Sequence, residues 1–153
     1  MTQRITPFLW FNGRAEEAMN YYVSIFPNSH IDSLNHIGPD GAMAMGSFTI
    51  DGLSVMALDG GPHYTFSPAT SMFVSCETQA EVDHLWDRLG EGGTYSQCGW
   101  LDDKFGVTWQ IVPSALGRLM GDPDPAKSGR VMQAMLKMIK LDIQGLQDAY
   151  DDV

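Results

Sequence analysis

The chain has 153 residues, 44% hydrophobic and 18% charged, a balance that fits one folded domain or two small modules sharing a core and excludes disordered, collagenous and fibrous classes. Nineteen acids against nine bases leave a net charge of −10, a field that repels nucleic acid and anionic lipid. No apolar run approaches the roughly 18 residues of a membrane span, and two cysteines, Cys76 and Cys98, are too few for a disulfide framework or a four-thiolate zinc site.

Met-Thr-Gln-Arg leads straight into a strand-like segment with no signal-peptide h-region, so the expected location is cytoplasmic. Ile5 to Phe11 is an apolar run ended by Asn12-Gly13, which predicts a buried strand. Ala15, Ala18, Met19, Tyr22, Ile25 and Phe26 then form one helical stripe, with Glu16, Glu17 and Asn20 on the wet side and Pro27 as the stop. Strands are predicted over His30–Ile37, Ala42–Ile50 and Leu53–Asp59. Asp51-Gly52 is a hairpin signal between the last two.

The same order then restarts. Ser71 to Cys76 reads as a strand, and Thr78-Gln79-Ala80-Glu81 is a capping box opening a helix with the stripe Val82, Leu85, Trp86 and Leu89. Strands follow over Thr94–Leu101 and Val107–Val112. The string Asp51-Gly52-Leu53-Ser54-Val55-Met56 matches Phe105-Gly106-Val107-Thr108-Trp109-Gln110, with the glycines 54 residues apart. The reading is α+β: two βαβββ modules, residues 1–66 and 67–113, and a helical tail over 114–153, together one domain.

Charge divides along similar lines. Ala15 to Gly117 holds thirteen acids and two bases, whereas Arg118 to Lys140 holds five bases and two acids. In that basic arm Val131, Met135, Ile139 and Ile143, widened by Met132 and Leu136, form the stripe of a helix starting near Lys127. So much apolar face must be covered, and a homodimer is the expected cover, with docking inside the chain as the alternative.

The duplicated order, with the strings ITPFLWFNGRAEEAMNYY, SMFVSCETQAEVDHLWDRL, QCGWLDDKFGVTWQIVP and DPDPAKSGRVMQAMLKMIKLDI, resembles the PhnB-like family. That family is often labelled 3-demethylubiquinone-9 3-methyltransferase and sits in the vicinal oxygen chelate superfamily of glyoxalases, bleomycin-resistance proteins and dioxygenases. The resemblance implies curved mixed sheets around a cavity, usually in a homodimer. In metal-using relatives it also implies two carboxylates and two His or Gln ligands from the first and last strands of each module. The last-strand position, four residues after the turn glycine, is Gln110 here, and the repeat puts Met56 at its equivalent; the first strands offer Pro7 or Phe8, and Ser71. These groups make a poor set for a divalent first-row ion, so no metal and no other cofactor is expected.

Strand alternation selects the remaining lining. The expected binding residues are Phe8, Trp10, Ser54, Met56, Ser71, Phe73, Thr108 and Gln110, an apolar lining with a few polar groups around an unidentified small molecule. His63 lies in a Gly/Pro-rich loop without a carboxylate fixed beside it and reads as solvated. Cys98 sits near Asp102 and Asp103, whose charges oppose a thiolate, and reads as a packed cysteine. The expectation is therefore a metal-free small-molecule binding protein of the glyoxalase and bleomycin-resistance type. Three alternatives stand: a metal-dependent lyase, isomerase or dioxygenase acting on a vicinal-oxygen substrate, the labelled methyltransferase, or a structural dimer with a vestigial cavity. The glycine-rich first turn usual for methyl transfer from S-adenosylmethionine is absent, as is any P-loop.

Overall fold

Alternation of buried and half-exposed residues along Met43–Ile50 sets the plan of the first module. Ala44, Gly46, Phe48 and Ile50 turn inward, and the residues between them do not. The computed structural model describes residues 3–153, which divide into two compact units at Phe66 and Ser67. The first unit runs β1 (Phe8–Phe11), α1 (Ala15–Ile25), β2 (His30–Ile37), β3 (Met43–Ile50) and β4 (Leu53–Asp59), with a single 3-10 turn at Pro39–Gly41. Its sheet order is β1-β4-β3-β2. β1 is parallel to β4, and the other pairs are antiparallel.

α1 buries the expected stripe, Ala15, Ala18, Met19, Tyr22 and Ile25. Gly46 lets it come close, since a Cβ there would lie 2.2 Å from the Ser33 carbonyl oxygen and 3.1 Å from Met19 Cε. Asp51 and Gly52 both have positive φ, 46° and 85°, as a type I′ hairpin turn requires. Buried Asp59 ties three elements together. Its Oδ1 accepts from Ala15 N at 2.9 Å and its Oδ2 from Ala44 N at 3.0 Å, so the carboxylate meets a free amide and the positive dipole end of α1.

The first strand is shorter than the apolar run suggests. Ile5 is 89% exposed, and the ladder begins where the Pro7 carbonyl accepts from Met56 N, because proline supplies no donor of its own.

The second unit repeats the plan with β5 (Ser71–Cys76), α2 (Gln79–Gly90), β6 (Thr94–Tyr95), β7 (Trp100–Asp102) and β8 (Thr108–Pro113), in the order β5-β8-β7-β6. β5 is parallel to β8. The Thr78 side chain caps α2 by accepting from Glu81 N at 3.1 Å. The predicted strand Thr94–Leu101 is instead two short strands, for a reason that lies in the tail. Cys98 N donates to Met138 O and Gly99 N to Ile139 O, both at 2.8 Å, so those amides leave the sheet. Cys98 and Gly99 have φ of 60° and 83°. A Cβ on Gly99 would sit 2.7 Å from the Ile111 carbonyl oxygen.

The tail forms α3 (Ser114–Met120), α4 (Pro125–Leu136) and α5 (Ile143–Asp151), correcting the expected single stripe from Lys127 to Ile143. α4 ends at Leu136, and Asp142 opens α5 by accepting from Gly145 N. The break brings Leu141 inward in place of Ile139, which is 57% exposed. Val131, Leu141 and Leu146 are fully buried with Val112, Leu116 and Leu119, and Met120, Met135, Met138 and Tyr150 pack around them. The tail therefore docks on its own second module. Gln79 fastens it, donating to Leu141 O at 3.1 Å and accepting from Ile143 N at 2.8 Å, while Lys140 pairs with Asp83 at 3.0 Å. Among the described residues no helix is long and apolar enough to cross a membrane.

Docking through buried Leu141 sets a direct comparison. Leu141→Ala is expected to cost about 2–5 kcal/mol, the range for emptying a packed leucine site. Ile139→Ala is expected to stay within about 0.5 kcal/mol, as for an exposed side chain. Denaturant unfolding of the two variants measures both.

Candidate functional site

Each sheet has one face against its helix and one without a helix in its own module. In β4 the inward set is Val55, Ala57 and Asp59, and the open set is Ser54, Met56 and Leu58. Register extends that open face into the neighbouring strands. Phe8 pairs with Met56 and Trp10 with Leu58, while β3 places Thr49, Ser47 and Met45 beside Ser54, Met56 and Leu58. The first four expected residues, Phe8, Trp10, Ser54 and Met56, thus share one surface.

Phe8 is 48% exposed there. Trp10 is less free, since its Nε1 donates to the Gly61 carbonyl at 2.9 Å and the Tyr64 ring meets it edge-on at 5.0 Å. Gly60 permits this contact, because a Cβ would fall 2.3 Å from the indole. The loop after β4 therefore fixes Trp10 in place. His63, in the same loop, is exposed.

The second module gathers the other four. Ser71 pairs with Thr108 and Phe73 with Gln110, and β7 adds Trp100 beside Gln110 and Asp102 beside Thr108. Gln110 Nε2 donates to Ser71 Oγ at 2.9 Å. Thr108 is buried, and its hydroxyl donates to Asp102 Oδ1 at 2.6 Å, so it braces the strand pair rather than meeting a ligand. Phe73 is 62% exposed beside this polar group. Trp100 and Asp102 were not in the expected set. Their two-residue spacing carried the parity signal, but it was readable only with the short limits of β7 known.

The opposite face of the second sheet is structural. Asp103 accepts from Phe105 N and Val107 N through Oδ1 and from Trp109 Nε1 through Oδ2, closing the β7–β8 turn. Cys76 is fully buried, and burial first, then Glu81 and Glu77, pushes its thiol up to about 11, far from a thiolate at neutral pH. Cys98 Sγ lies 3.5 Å from Met135 O within the tail contact.

Strand register also settles which positions of the two modules correspond. Phe8 stands opposite Met56, and Phe73 stands opposite Gln110. The equivalent of Phe8 is therefore Phe73, with Ser71 two residues earlier. A metal held from the first and last strands would find a phenyl ring and a thioether in the first module, and a phenyl ring and an amide in the second. Ser71 and Asp102 add a hydroxyl and a carboxylate already bonded to Thr108. Among the described residues no group of three or more His, Cys, Asp or Glu is placed to hold an ion. This donor set does not fit a divalent transition metal, which needs anionic or imidazole ligands to offset desolvation.

The chain matches the 3-demethylubiquinone-9 3-methyltransferase family over residues 3–112. Among solved structures it is similar to the PhnB protein of Bacillus cereus, at 36% identity and TM-score 0.69, covering 73% of this chain and 100% of that one. It is also similar to protein PA1353 of Pseudomonas aeruginosa, at 22% identity and TM-score 0.62, covering 73% and 98% of the two chains. A glyoxylase/bleomycin resistance protein/dioxygenase domain from Frankia sp. EAN1pec shares the fold at 15% identity and TM-score 0.52, covering 74% and 93%. No curated protein is a significant match. The two-module α+β architecture and these likenesses agree: the chain has the fold of the Frankia domain and belongs to the 3-demethylubiquinone-9 3-methyltransferase, or PhnB-like, family.

Proposed function

We propose that the protein binds a small organic molecule without a metal on an open sheet face, with Gln110 and Ser71 as polar anchors and Phe73 and Trp100 as apolar contacts in the second module, while Phe8 and Met56 give the first module an apolar face of its own. The observation that carries this reading is the replacement chemistry at the corresponding positions. Phe8 and Phe73 offer no lone pair, and Met56 and Gln110 offer no charge, a poor inner shell for a divalent ion, yet these groups suit an uncharged or aromatic group. Half-exposed phenylalanines on both faces support it, since a large ring left in water gains free energy when a ligand covers it.

The family's name carries a methyltransferase activity. The turn between β1 and α1, Asn12-Gly13-Arg14, and that between β5 and α2, Glu77-Thr78, lack the glycine-rich phosphate or cofactor cradle of doubly wound folds. The methyl-transfer reading therefore has no support in the residues themselves.

A compound library screened by thermal shift is expected to yield ligands that raise the melting temperature, because binding to the folded state alone stabilises it. Their affinity should fall about tenfold or more in Gln110→Ala and in Phe73→Ala, the scale of one lost hydrogen bond or one lost ring contact. Hits that bind both variants as tightly as the parent would refute the assigned anchors.

Elemental analysis of protein purified without a metal-affinity tag is expected to find no stoichiometric transition metal. One equivalent of metal that disappears in Gln110→Ala would instead establish a metalloenzyme. The assembly expected with this reading is a homodimer, supported by Met132 and Leu136, exposed at 44% and 49% on α4. Light scattering showing only a 16.9 kDa species at micromolar concentration would remove it.

A further inference from the structure

The family match stops at residue 112, and the whole Bacillus cereus chain is covered by 73% of this one. The segment beyond residue 112 lies outside that match, and its first helix builds a wall beside the second sheet. Between that helix and the sheet lies a cleft of about 630 Å³. The sheet supplies Phe73, Ser75 and Val112, and α3 supplies Leu116, Arg118 and Met120. The volume falls in the roughly 300–1,000 Å³ range of small-molecule sites.

Four features define what this cleft accepts. Its walls are mainly apolar, with Phe73 62% exposed at the edge. Arg118 is exposed in the last turn of α3, and no described residue forms an ion pair or hydrogen bond with its guanidinium. The Ser114 hydroxyl is already committed, donating to Glu77 Oε2 at 3.0 Å. Gly117 leaves the cleft open, since nothing lies within 4 Å of where its Cβ would be. An apolar trough with one guanidinium that no described residue pairs is complementary to a molecule carrying a hydrocarbon or aromatic body and a single carboxylate. The planar fork takes the carboxylate in two parallel hydrogen bonds. On a chain with net charge −10, such a cation beside an apolar wall is a local feature that selects an anion.

We propose that the α3 cleft is a binding site for a free, monomeric amphipathic monocarboxylate, with Arg118 holding the carboxylate and Phe73, Val112, Leu116 and Met120 enclosing the apolar body. It goes beyond the polar face around Gln110: it shares Phe73 with that face but draws its specificity from residues outside the family match.

Calorimetric titration of the full chain with decanoate below its micelle concentration tests the site, with decan-1-ol as the uncharged control. One equivalent of decanoate is expected to bind, about tenfold or more tightly than decan-1-ol, the scale of a charge-assisted hydrogen bond. Arg118→Gln should bring decanoate down to the affinity of the alcohol. Gly117→Leu should abolish binding of both by filling the cleft, with an unchanged or raised melting temperature because leucine favours the helix more than glycine. Equal affinity for acid and alcohol, or decanoate binding that survives Gly117→Leu, overturns the proposal. So does a change of oligomeric state in ligand-free Gly117→Leu, which would make the cleft a contact between copies. Binding only to anionic vesicles and not to monomeric decanoate would likewise overturn it. Library ligands that depend on Gln110 report on the polar face alone, so either site can fail while the other stands.

Discussion

Parallel pairing of the first and last strand of each module is the constraint on which the rest of the structure depends. β1 runs beside β4 and β5 beside β8, and within each module the chain passes through one helix and then back through antiparallel strands to reach that partner. One helix can cover only one face of a four-stranded sheet. The other face is left with no helix of its module, and every second residue of each strand is committed to it. Asp59 shows how firmly the covered side is fixed in the first module, because its two oxygens pin the start of α1 and the third strand together. With that side rigid, a one-residue slip would carry Val55, Ala57 and Asp59 outward, so the open face cannot exchange its residues for others.

The two modules keep this plan and differ in what they place on it. In the first, the pair at the corresponding register is Phe8 with Met56, and the loop from Gly60 to Tyr64 folds against Trp10. In the second, the pair is Phe73 with Gln110, set among Ser71, Asp102 and Thr108. The tail has settled on the second module, and it does so at the expense of sheet. Met138 and Ile139 take the amides of Cys98 and Gly99, which leaves β6 only two residues long. Gly99 is the residue that permits the exchange, having both the left-handed backbone and the room beside Ile111 and Leu141.

Local signals carried most of the fold. The Asp51-Gly52 turn, the α1 stripe and the Thr78 cap are each decided within a few residues, and each is present as the sequence implies. Outcomes set by distant partners were not on display in the sequence. The break between α4 and α5 follows from Leu141 finding a hydrophobic site and from Gln79, 62 residues earlier, holding its carbonyl. No periodicity within the tail encodes that. For the site, period-two alternation placed Phe8, Met56, Phe73 and Gln110 on open faces. Parity cannot tell an available side chain from a spent one, however, and so it ranked Thr108 with the others although Asp102 takes its hydroxyl. It also passed over Trp100 and Asp102, because the strand holding them is three residues long and its limits are set by the tail.

The hydrogen-bond state of the Gln110–Ser71 pair limits what the polar face can recognise. Gln110 donates one amide hydrogen to Ser71 Oγ, which leaves its own carbonyl oxygen as an acceptor and turns the serine proton toward another partner. The pair thus offers one acceptor, the Gln110 oxygen, and two donors, the serine proton and the second amide hydrogen, all uncharged, beside Phe73 and Trp100 in the same register. A group that both gives and takes hydrogen bonds, such as a hydroxyl or an amide, satisfies this set most fully. A bare carboxylate could take the two donors but would leave the Gln110 oxygen unused and would meet the like charge of Asp102 on the same face. The polar face and the Arg118 cleft consequently select opposite kinds of head group. On the proposed reading α3 does not enlarge one site but sets a cleft for an anion beside a neutral polar face, with Phe73 lining both.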